Sequence, residues 1–371
     1  MRSIRILGLM TGSSADGLDL CLVRFTGTGM NPSFEILNAL EIPYPSRFQS
    51  AFKSPLEIND DDLQQLDQDL GQWFASEIEQ LDLSFDLIAS HGQTIRHEPP
   101  HFTLQIGDPN VMADLFKCPV IYDFRTADLE LGGQGAPLIP IVDQFLLQNA
   151  STDILSLNIG GIANLTIVPS LNNPNPLLAW DTGPGNTLID KAVRKYSSNR
   201  LNFDKDGAIA AEGILNKDLL DVLLKHEFYK QKPPRSAGQE QFGDGYFNLI
   251  LDEFFPESDQ AFKNFIFTLT VLTSRTIVNS IKLLNQNYSP TLMVLGGGGS
   301  FNKTLMNLIQ GELPQMNIGN INIDGINESN KEAFGFAYLG YLHKQNLPGN
   351  IPSVTGARQQ TVLGKMRLPQ I

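Results

Sequence analysis

The sequence predicts an α/β protein built from two duplicated halves. A strand–turn–strand pattern near the start of the chain recurs after residue 150, and both halves also contain apolar residues at the three- and four-residue spacing of helices. With 371 residues, of which 42% are hydrophobic, the chain is long enough to bury the cores of two domains. We therefore expect a soluble enzyme with two lobes and a cleft.

The first half begins with three predicted strands, at residues 4–10, 18–25 and 34–42. Residues 11–17 join the first two strands and consist mainly of small and hydroxyl-bearing residues. A shorter strand is predicted at residues 85–89. The first two strands and the loop between them are predicted to form a glycine-rich hairpin.

The second half repeats this arrangement. Strands are predicted at residues 154–159, 165–168 and 177–180, and a glycine turn at 160–164 joins the first two. A further apolar strand at residues 292–295 runs into a run of four glycines. The repeated order of strand and glycine turn predicts an internal duplication.

Four segments show the apolar periodicity of helices, at residues 63–81, 215–224, 262–284 and 303–309. Residues 230–239 contain two prolines and many polar residues, which predicts a surface loop because proline excludes helix and polar side chains exclude core. The tail, rich in glycine and proline, is expected to pack irregularly from residue 347 onward.

Charge and cysteine content limit the possible partners. The net charge of −13 opposes binding to a phosphate backbone, so nucleic acid is not expected as a partner. Cys21 and Cys118 are far apart and lack metal-ligand spacing, which predicts two buried core residues in a reducing compartment. No signal peptide or membrane-spanning stretch is predicted, so we expect a cytoplasmic protein without membrane contact.

Asp181 is the first candidate catalytic residue. It follows the apolar run 177–180 and precedes Thr182-Gly183-Pro184-Gly185, a turn too tight for a regular strand or helix to continue. A carboxylate held at such a position can act as a base. The alternative is an Asx-type turn that caps the helix beginning at Thr187.

Glycine turns that present backbone N–H groups from two sides can hold a polyphosphate, with a metal ion supplying positive charge. The loop at 11–17 and the turn at 160–164 are the two candidates, and the alternative is that each is only a tight hairpin. Residues 296–299 are four consecutive glycines between strand and helix, where a flat ring such as adenosine could lie against the backbone.

Two histidine-containing segments are considered as functional sites, and only the second is retained as a candidate. His97-Glu98-Pro99-Pro100-His101 has the letter pattern of a zinc protease, but the prolines exclude the helix that this chemistry needs. The turn at 90–94 gathers His91, Gln93 and Thr94, a set suited to hydrogen bonding with a sugar. The alternative is that His91 is a buried histidine that braces its loop.

Taken together, these segments resemble the 1,6-anhydro-N-acetylmuramic acid kinases along nearly the whole chain. The central matching block is Asp181-Thr182-Gly183-Pro184-Gly185-Asn186. The other matching blocks lie at residues 8–17, 90–99, 104–108, 123–125, 132–140, 157–164, 296–299 and 347–356. The resemblance implies two duplicated actin-like ATPase domains, of the ribonuclease H-like type, around an ATP cleft. It places the first domain at residues 1–140 plus about 335–371 and the second at 141–334.

The resemblance also implies roles for individual residues. Asp181 is expected to be the catalytic base, and Mg²⁺ is expected to accompany ATP, near Asp16. The expected ATP-binding residues are Gly12, Ser13, Ser14, Ala15, Asp16, Gly17, Leu18, Asp19, Gly160, Gly161, Gly183, Gly296, Gly297 and Gly298. The expected sugar contacts are His91, Gln93, Thr94, Asn158 and Glu332.

Three points remain open at this stage. Ser13 and Ala15 depart from the usual family loop, and Ala15 removes an apolar contact. Glu332 is equally compatible with an ordinary acid in a first helical turn. The implied activity is ATP-dependent opening of the anhydro sugar with phosphorylation of O6, and the implied assembly is a homodimer. The alternatives to this activity are a related kinase of another amino sugar and a nucleotide-gated binding module.

Overall fold

The structure is a computed structural model that describes residues 3–12, 17–52, 58–148, 150–284, 287–320, 323–327 and 329–370. It contains two compact units. Unit 1 comprises Met1–Leu146 with Asn322–Ile371, and unit 2 comprises Leu147–Ile321.

Both units contain strands and helices. In chain order the strands are β1 Ser3–Met10, β2 Gly17–Thr26, β3 Ser33–Pro43, β4 Leu87–Ser90, β5 Gln93–Glu98, β6 Phe102–Ile106, β7 Val120–Tyr122, β8 Ile154–Ile159, β9 Ile162–Val168, β10 Leu178–Pro184, β11 Leu292–Gly296, β12 Asn317–Asn320 and β13 Lys365–Arg367. The helices are α1 Ser46–Ala51, α2 Asp60–Glu79, α3 Pro109–Phe116, α4 Thr126–Glu130, α5 Pro140–Leu147, α6 Thr187–Tyr196, α7 Lys217–Leu223, α8 Gln239–Phe242, α9 Asp244–Glu253, α10 Asp259–Lys282, α11 Lys303–Glu312, α12 Lys331–Lys344 and α13 Pro352–Thr355.

The main sheet of unit 1 has the strand order β3-β2-β1-β4-β7-β13. The first three strands in the chain pair antiparallel, and β4 and β7 then continue the sheet in parallel to β1. One face packs on α2 and α3 through a core that includes Leu7, Phe74 and Met112. The other face carries α12, which approaches so closely that a Cβ on Gly8 would overlap the carbonyl of Ala333.

The sheet of unit 2 repeats this order as β10-β9-β8-β11-β12. Its first three strands are again antiparallel neighbours, and its last two again pair in parallel with the first. Apolar side chains of β8 and β9 form a core with α10 and α11. The predicted duplication of an α/β fold is therefore confirmed by two sheets of the same topology.

Most predicted elements are present with small shifts at their ends, and both cysteines are buried as predicted. The tail, however, was wrongly expected to be irregular throughout. It contains α13 and β13, and β13 extends the first sheet by pairing antiparallel with β7. Among the described residues, no helix combines the length and apolar character needed to cross a bilayer.

Candidate active site

Asp181 lies within β10, opposite Asn164 of β9, and the register shifts between Asp181 and Gly183. The strand was wrongly expected to end at residue 180, because the chain continues to Pro184 through a β-bulge. Gly183 adopts φ of +148°, which side-chain-bearing residues rarely adopt. Bulges re-aim side chains and are common next to active sites.

The Asp181 carboxylate is held by a loop instead of capping a helix. Its Oδ2 accepts a hydrogen bond of 2.7 Å from the backbone N–H of Ala237, while α6 begins after a different N-cap residue, Asn186. Burial raises the pKa of Asp181 to about 7, although the Ala237 N–H and the Arg235 charge lower it. An acid that titrates near neutral pH is suited to general base catalysis.

Arg235 and Ala237 are site residues that the sequence did not reveal. The loop at 230–239 was predicted to lie on the surface, and this is wrong for Arg235, which is only 8% exposed. Its Nε donates to the carbonyl of Asp181 at 3.1 Å, and its own carbonyl accepts from the Asp181 N–H at 2.9 Å. The only sequence signal was an arginine directly after the proline pair, which periodicity does not detect.

Two glycine turns of unit 2 are hydrogen-bonded to each other. Gly185 N and Thr187 Oγ1 both donate to the carbonyl of Gly161, each at 2.8 Å, and Asn186 N donates to that of Gly160 at 2.8 Å. A side chain on Gly185 would overlap the Gly160 carbonyl. The turn after Asp181 is therefore locked to the turn between β8 and β9.

A third glycine turn meets the same strand ends. Gly296 pairs with Asn158 across β11 and β8, and Gly297 adopts φ of +77°. A Cβ on Gly297 would lie 2.7 Å from both the Asn158 side chain and the Ile159 carbonyl, whereas one on Gly298 would meet nothing within 4 Å. Backbone is thus accessible at Gly298, which fits the close approach of a nucleotide.

Helix α10 is hydrogen-bonded to the turn that follows Asp181. The Thr273 hydroxyl shares its single proton between the carbonyls of Pro184 and Gly185, which lie 2.9 and 2.8 Å from its oxygen. Thr273 is 1% exposed, so these bonds form in the interior of unit 2. The turn after Asp181 is consequently fixed by both α10 and its neighbouring turn.

In unit 1, the first loop contacts the His91 turn. Gln93 Nε2 donates to the Gly12 carbonyl at 3.3 Å, and the Thr11 hydroxyl donates to the Gly92 carbonyl at 2.8 Å. Gly17, Leu18 and Asp19 of the predicted ATP loop lie in β2. Ser13, Ser14, Ala15 and Asp16 lie outside the described residues.

The predicted sugar-binding residues of unit 1 are largely engaged with protein groups. His91 and Gln93 are each only 3% exposed. Gln93 Oε1 accepts from the Tyr44 hydroxyl at 3.1 Å, and Thr94 Oγ1 accepts from Gln105 Nε2 at 3.3 Å. These contacts favour a bracing role for His91 and Gln93 over direct exposure to a ligand.

Arg125 determines which nitrogen of His91 carries the proton. Its Nε and Nη2 lie 3.1 and 2.9 Å from His91 Nε2, and a guanidinium can only donate. Nε2 must therefore be the acceptor, with the proton on Nδ1. Burial and the Arg125 charge lower the pKa of His91 well below its usual value, so the ring is neutral.

Glu332 lies in the first turn of α12, in unit 1, near this pair. Burial raises the pKa of Glu332, while the charges of Lys331 and Arg125 lower it. Burial also lowers the pKa of Arg125 to about 10, against the opposing effect of Glu332. Glu332 is thus coupled electrostatically to a buried arginine, which the alternative of an ordinary first-turn acid does not require.

The described residues contain no group of three side chains of the histidine, cysteine, aspartate and glutamate types that could hold a metal ion. His97, from the rejected zinc motif, lies in strand β5, where its Nδ1 is 3.0 Å from the Thr103 hydroxyl. Mg²⁺ commonly binds through substrate phosphates and water with few protein ligands. A magnesium–nucleotide complex therefore does not require such a group of three side chains.

Two α/β units whose sheets share one strand order, with glycine turns around a buried acid in a bulged strand, define a duplicated α/β enzyme. Comparison with known proteins identifies the family. The model of the anhydro-N-acetylmuramic acid kinase family matches residues 4–369, and the chain belongs to that family.

Curated relatives agree over almost their full length. An anhydro-N-acetylmuramic acid kinase of Caldanaerobacter subterraneus subsp. tengcongensis is 38% identical over 387 aligned positions, covering 98% of this chain and 96% of that protein. A kinase of the same name from a strain of Bacillus cereus is 36% identical, covering 99% of this chain and 100% of that protein.

Similarity to solved structures is more distant. The Acidaminococcus fermentans (R)-2-hydroxyglutaryl-CoA dehydratase component A is 11% identical with a TM-score of 0.44, covering 91% of this chain and 98% of that chain. A ROK family glucokinase from Streptomyces griseus, solved with glucose and AMPPNP, is 10% identical with a TM-score of 0.37, covering 91% and 98%.

Proposed function

We propose that this chain uses ATP to open the 1,6-anhydro ring of anhydro-N-acetylmuramic acid and to phosphorylate O6, yielding N-acetylmuramic acid 6-phosphate for cell-wall recycling. Family membership along residues 4–369 supports the reaction class. The observation that carries the mechanism is Asp181, a carboxylate with a pKa near 7 on a bulged strand among glycine turns. An acid of this kind is what activation of water at neutral pH requires.

The reaction combines a hydrolysis with a phosphoryl transfer. Water attacks C1, the bond between C1 and O6 breaks, and the proton of the water passes to Asp181. O6 accepts the γ-phosphoryl group of ATP, and ADP leaves. Asp181 therefore begins the cycle ionised and ends the ring-opening step protonated.

The glycine turns of unit 2 and the first loop of unit 1 are the proposed ATP-binding segments. In unit 2 the accessible backbone at Gly298 suits an adenosine ring. Mg²⁺ bound with ATP would neutralise charge on the transferring phosphoryl group. The role of residues 12–19 in this loop remains a prediction, as does that of Gly160, Gly161, Gly183, Gly296 and Gly297.

For the sugar, we assign contacts to Thr94, Asn158 and Glu332 and a bracing role to His91 and Gln93. Asn158 lies at the end of β8, where it faces Gly296. Glu332 interacts electrostatically with the Arg125 guanidinium, whose charge lowers the pKa of this acid. The contacts of His91 with Arg125 and of Gln93 with Tyr44 would then shape the turn that carries Thr94.

Two further properties are part of the proposal. Because the reaction consumes ATP, we place the enzyme in the cytoplasm. We also propose a homodimer, as the family resemblance suggests. Light scattering of the purified protein tests the second point, since a monomer has a mass of 40.9 kDa and a dimer would have twice that value.

The test of the function is a panel of amino sugars incubated with ATP, Mg²⁺ and either wild-type protein or Asp181→Asn. We expect phosphorylated product from anhydro-N-acetylmuramic acid with the wild type and no turnover with the variant, because an amide cannot accept the proton. ATP affinity of the variant, measured by calorimetry, should stay close to wild type.

Faster phosphorylation of a different sugar would replace the proposed substrate. Slow ATP hydrolysis without a sugar product would instead favour a nucleotide-gated module. Normal turnover by Asp181→Asn would remove Asp181 from the mechanism.

A further inference from the structure

We propose that Arg235 is a positioning residue that fixes the loop at residues 231–237 against Asp181 and thereby presents the Ala237 N–H to the carboxylate. The inference rests on the proposed role of Asp181 as the base. It assigns a function to a buried arginine that lies in neither a glycine turn nor a sugar-binding segment.

Arg235 joins two stretches of chain through main-chain groups. Its Nη1 donates to the carbonyls of Phe228, Tyr229 and Gln231, at 3.4, 3.4 and 2.9 Å. Its Nε donates to the Asp181 carbonyl, and the Asp181 N–H donates back to the Arg235 carbonyl. The loop and β10 are therefore held together through both main-chain groups of Asp181.

The Arg235 side chain also contacts an aromatic ring and helix α10. The guanidinium carbon lies 4.7 Å from the centre of the Phe228 ring, and Nη2 donates to the Ser280 hydroxyl of α10 at 3.3 Å. Burial of a guanidinium is costly unless its N–H groups are satisfied. Here a rigid fork with five donors serves carbonyls in several directions, which a lysine ammonium cannot reproduce.

The position of Ala237 in this loop determines how the Asp181 carboxylate is oriented. Ala237 is two residues beyond Arg235, and its N–H occupies Oδ2 of Asp181 at 2.7 Å. With Oδ2 engaged, Oδ1 is the oxygen assigned to the proton of the attacking water. A loop released by loss of Arg235 would lose this orientation of the carboxylate.

Three charged or titratable groups act on or beside Asp181. The Arg235 charge lowers the pKa of Asp181, and the Glu240 charge raises it. The Tyr229 phenol packs on the bulge, where a Cβ on Gly183 would lie 3.2 Å from its hydroxyl, and burial keeps its pKa well above the usual value. Loss of Arg235 removes the cation of this set, so the pKa of Asp181 should rise.

The test compares Arg235→Gln and Arg235→Lys with Arg200→Gln, whose parent arginine also donates to a backbone carbonyl, that of Ser197. For Arg235→Gln we expect kcat at pH 7 to fall by about 100-fold, since misplacement of a catalytic group is that costly. KM for ATP should not change, and the rising limb of the pH profile should move to higher pH. Arg235→Lys should keep the wild-type limb with reduced kcat, and Arg200→Gln should match wild type.

A second pair of variants tests the same inference if Arg235→Gln does not fold. Ala237→Pro removes the N–H donor, whereas Ala237→Gly retains it. We expect the proline variant alone to shift the pH profile upward, and hydrogen exchange of the loop peptide to be faster in Arg235→Gln or Ala237→Pro than in wild type.

Wild-type kcat and pH profile in Arg235→Gln, or in a folded Ala237→Pro, would overturn the inference and leave Arg235 a purely structural residue. This result is distinguishable from failure of the proposed function. Inactivity of Asp181→Asn together with normal Arg235→Gln would refute the inference alone, whereas turnover by Asp181→Asn would refute the proposed base itself.

Discussion

At the scale of single residues, the proposed chemistry depends on one carboxylate whose proton affinity is set mainly by burial. Asp181 ordinarily would be ionised far below neutral pH, but desolvation raises its pKa to about 7. The opposing effects of Ala237 and Arg235 are smaller than the burial effect. The residue is thus poised to take a proton near neutral pH and to release it afterwards.

This balance predicts the pH dependence of the reaction. A base must be deprotonated to act, so kcat/KM should be low in acid and should rise as the pH passes about 7, the pKa of Asp181. Initial rates from pH 5 to 9 with saturating ATP measure this limb. A limb centred near pH 4, the region of an unperturbed aspartate, would contradict the assigned environment of the acid.

The residue scale also shows what the sequence could and could not predict. Asp181 was recognisable because it stands between an apolar run and a glycine–proline turn. Arg235 and Ala237 were not, because their role depends on a loop that folds back across more than 50 positions of the chain onto β10. Polar composition and prolines describe such a loop correctly as irregular, but they do not reveal which of its side chains is buried.

At the scale of elements, glycines allow three turns to meet. Gly185 is the most restrictive position, because a Cβ there would overlap the Gly160 carbonyl and crowd Ala163 and Ile162. Turns that touch through backbone can be held by short hydrogen bonds without intervening side chains. This packing, together with the Thr273 hydroxyl, makes the neighbourhood of Asp181 rigid.

Gly185→Ala should therefore reduce both stability and activity. We expect a loss of about 1–3 kcal/mol in the free energy of unfolding, as for other overpacked sites. Gly311→Ala is the matched control, because a Cβ there meets nothing within 4 Å in helix α11. It should raise stability by up to about 1 kcal/mol through helix propensity. Urea unfolding of both variants measures the difference, and equal stabilities would contradict the packing of the two turns.

Element positions were mostly predictable, since strands and helices with strong apolar periodicity are read from local sequence. The exception at β10 is instructive. Gly183 and Pro184 look like strand-ending residues, yet a bulge lets the strand continue through them with β9 as its partner. Pairing with a neighbour, which no local pattern records, overrides the local preference for a turn.

At the scale of the whole molecule, a buried acid joins the C-terminal segment to the rest of unit 1. Asp128 is fully buried and accepts hydrogen bonds from Asn350 Nδ2 and Thr355 Oγ1, both at 2.7 Å. It also accepts from the Gly135 N–H at 2.8 Å. The C-terminal segment thus belongs to the fold of unit 1, although its composition suggested an irregular tail.

Asp128→Ala should weaken the whole unit. Removal of the carboxylate leaves three buried donors unpaired, so we expect a loss of about 2–5 kcal/mol in the free energy of unfolding. Asp114→Ala is the control, because Asp114 tethers the same segment through the Gln370 N–H at an exposed position. Its effect should stay within about 0.5 kcal/mol. Similar unfolding curves for the two variants would rule out the assigned anchoring role of Asp128.

The duplicated topology is the feature that the sequence predicted best, because both halves repeat strand, glycine turn and strand at corresponding places. The arrangement around His91 was harder to predict from the sequence. A turn with histidine, glutamine and threonine suggests ligand contacts, but burial engages His91 with Arg125 and Gln93 with Tyr44. Which polar groups are used internally depends on tertiary packing, and residue type alone does not encode it.

The central claim, that water activated by Asp181 opens the anhydro ring as O6 is phosphorylated, is tested most directly by isotope labelling. Anhydro-N-acetylmuramic acid, ATP and Mg²⁺ are incubated with the protein in heavy-oxygen water, and the product is analysed at once by mass spectrometry. Preformed product in the same water controls for exchange at C1. We predict one heavy oxygen at C1 and one new phosphate in the same molecule, with neither in Asp181→Asn. A phosphorylated sugar that retains its anhydro ring, or an unlabelled C1, would contradict the mechanism.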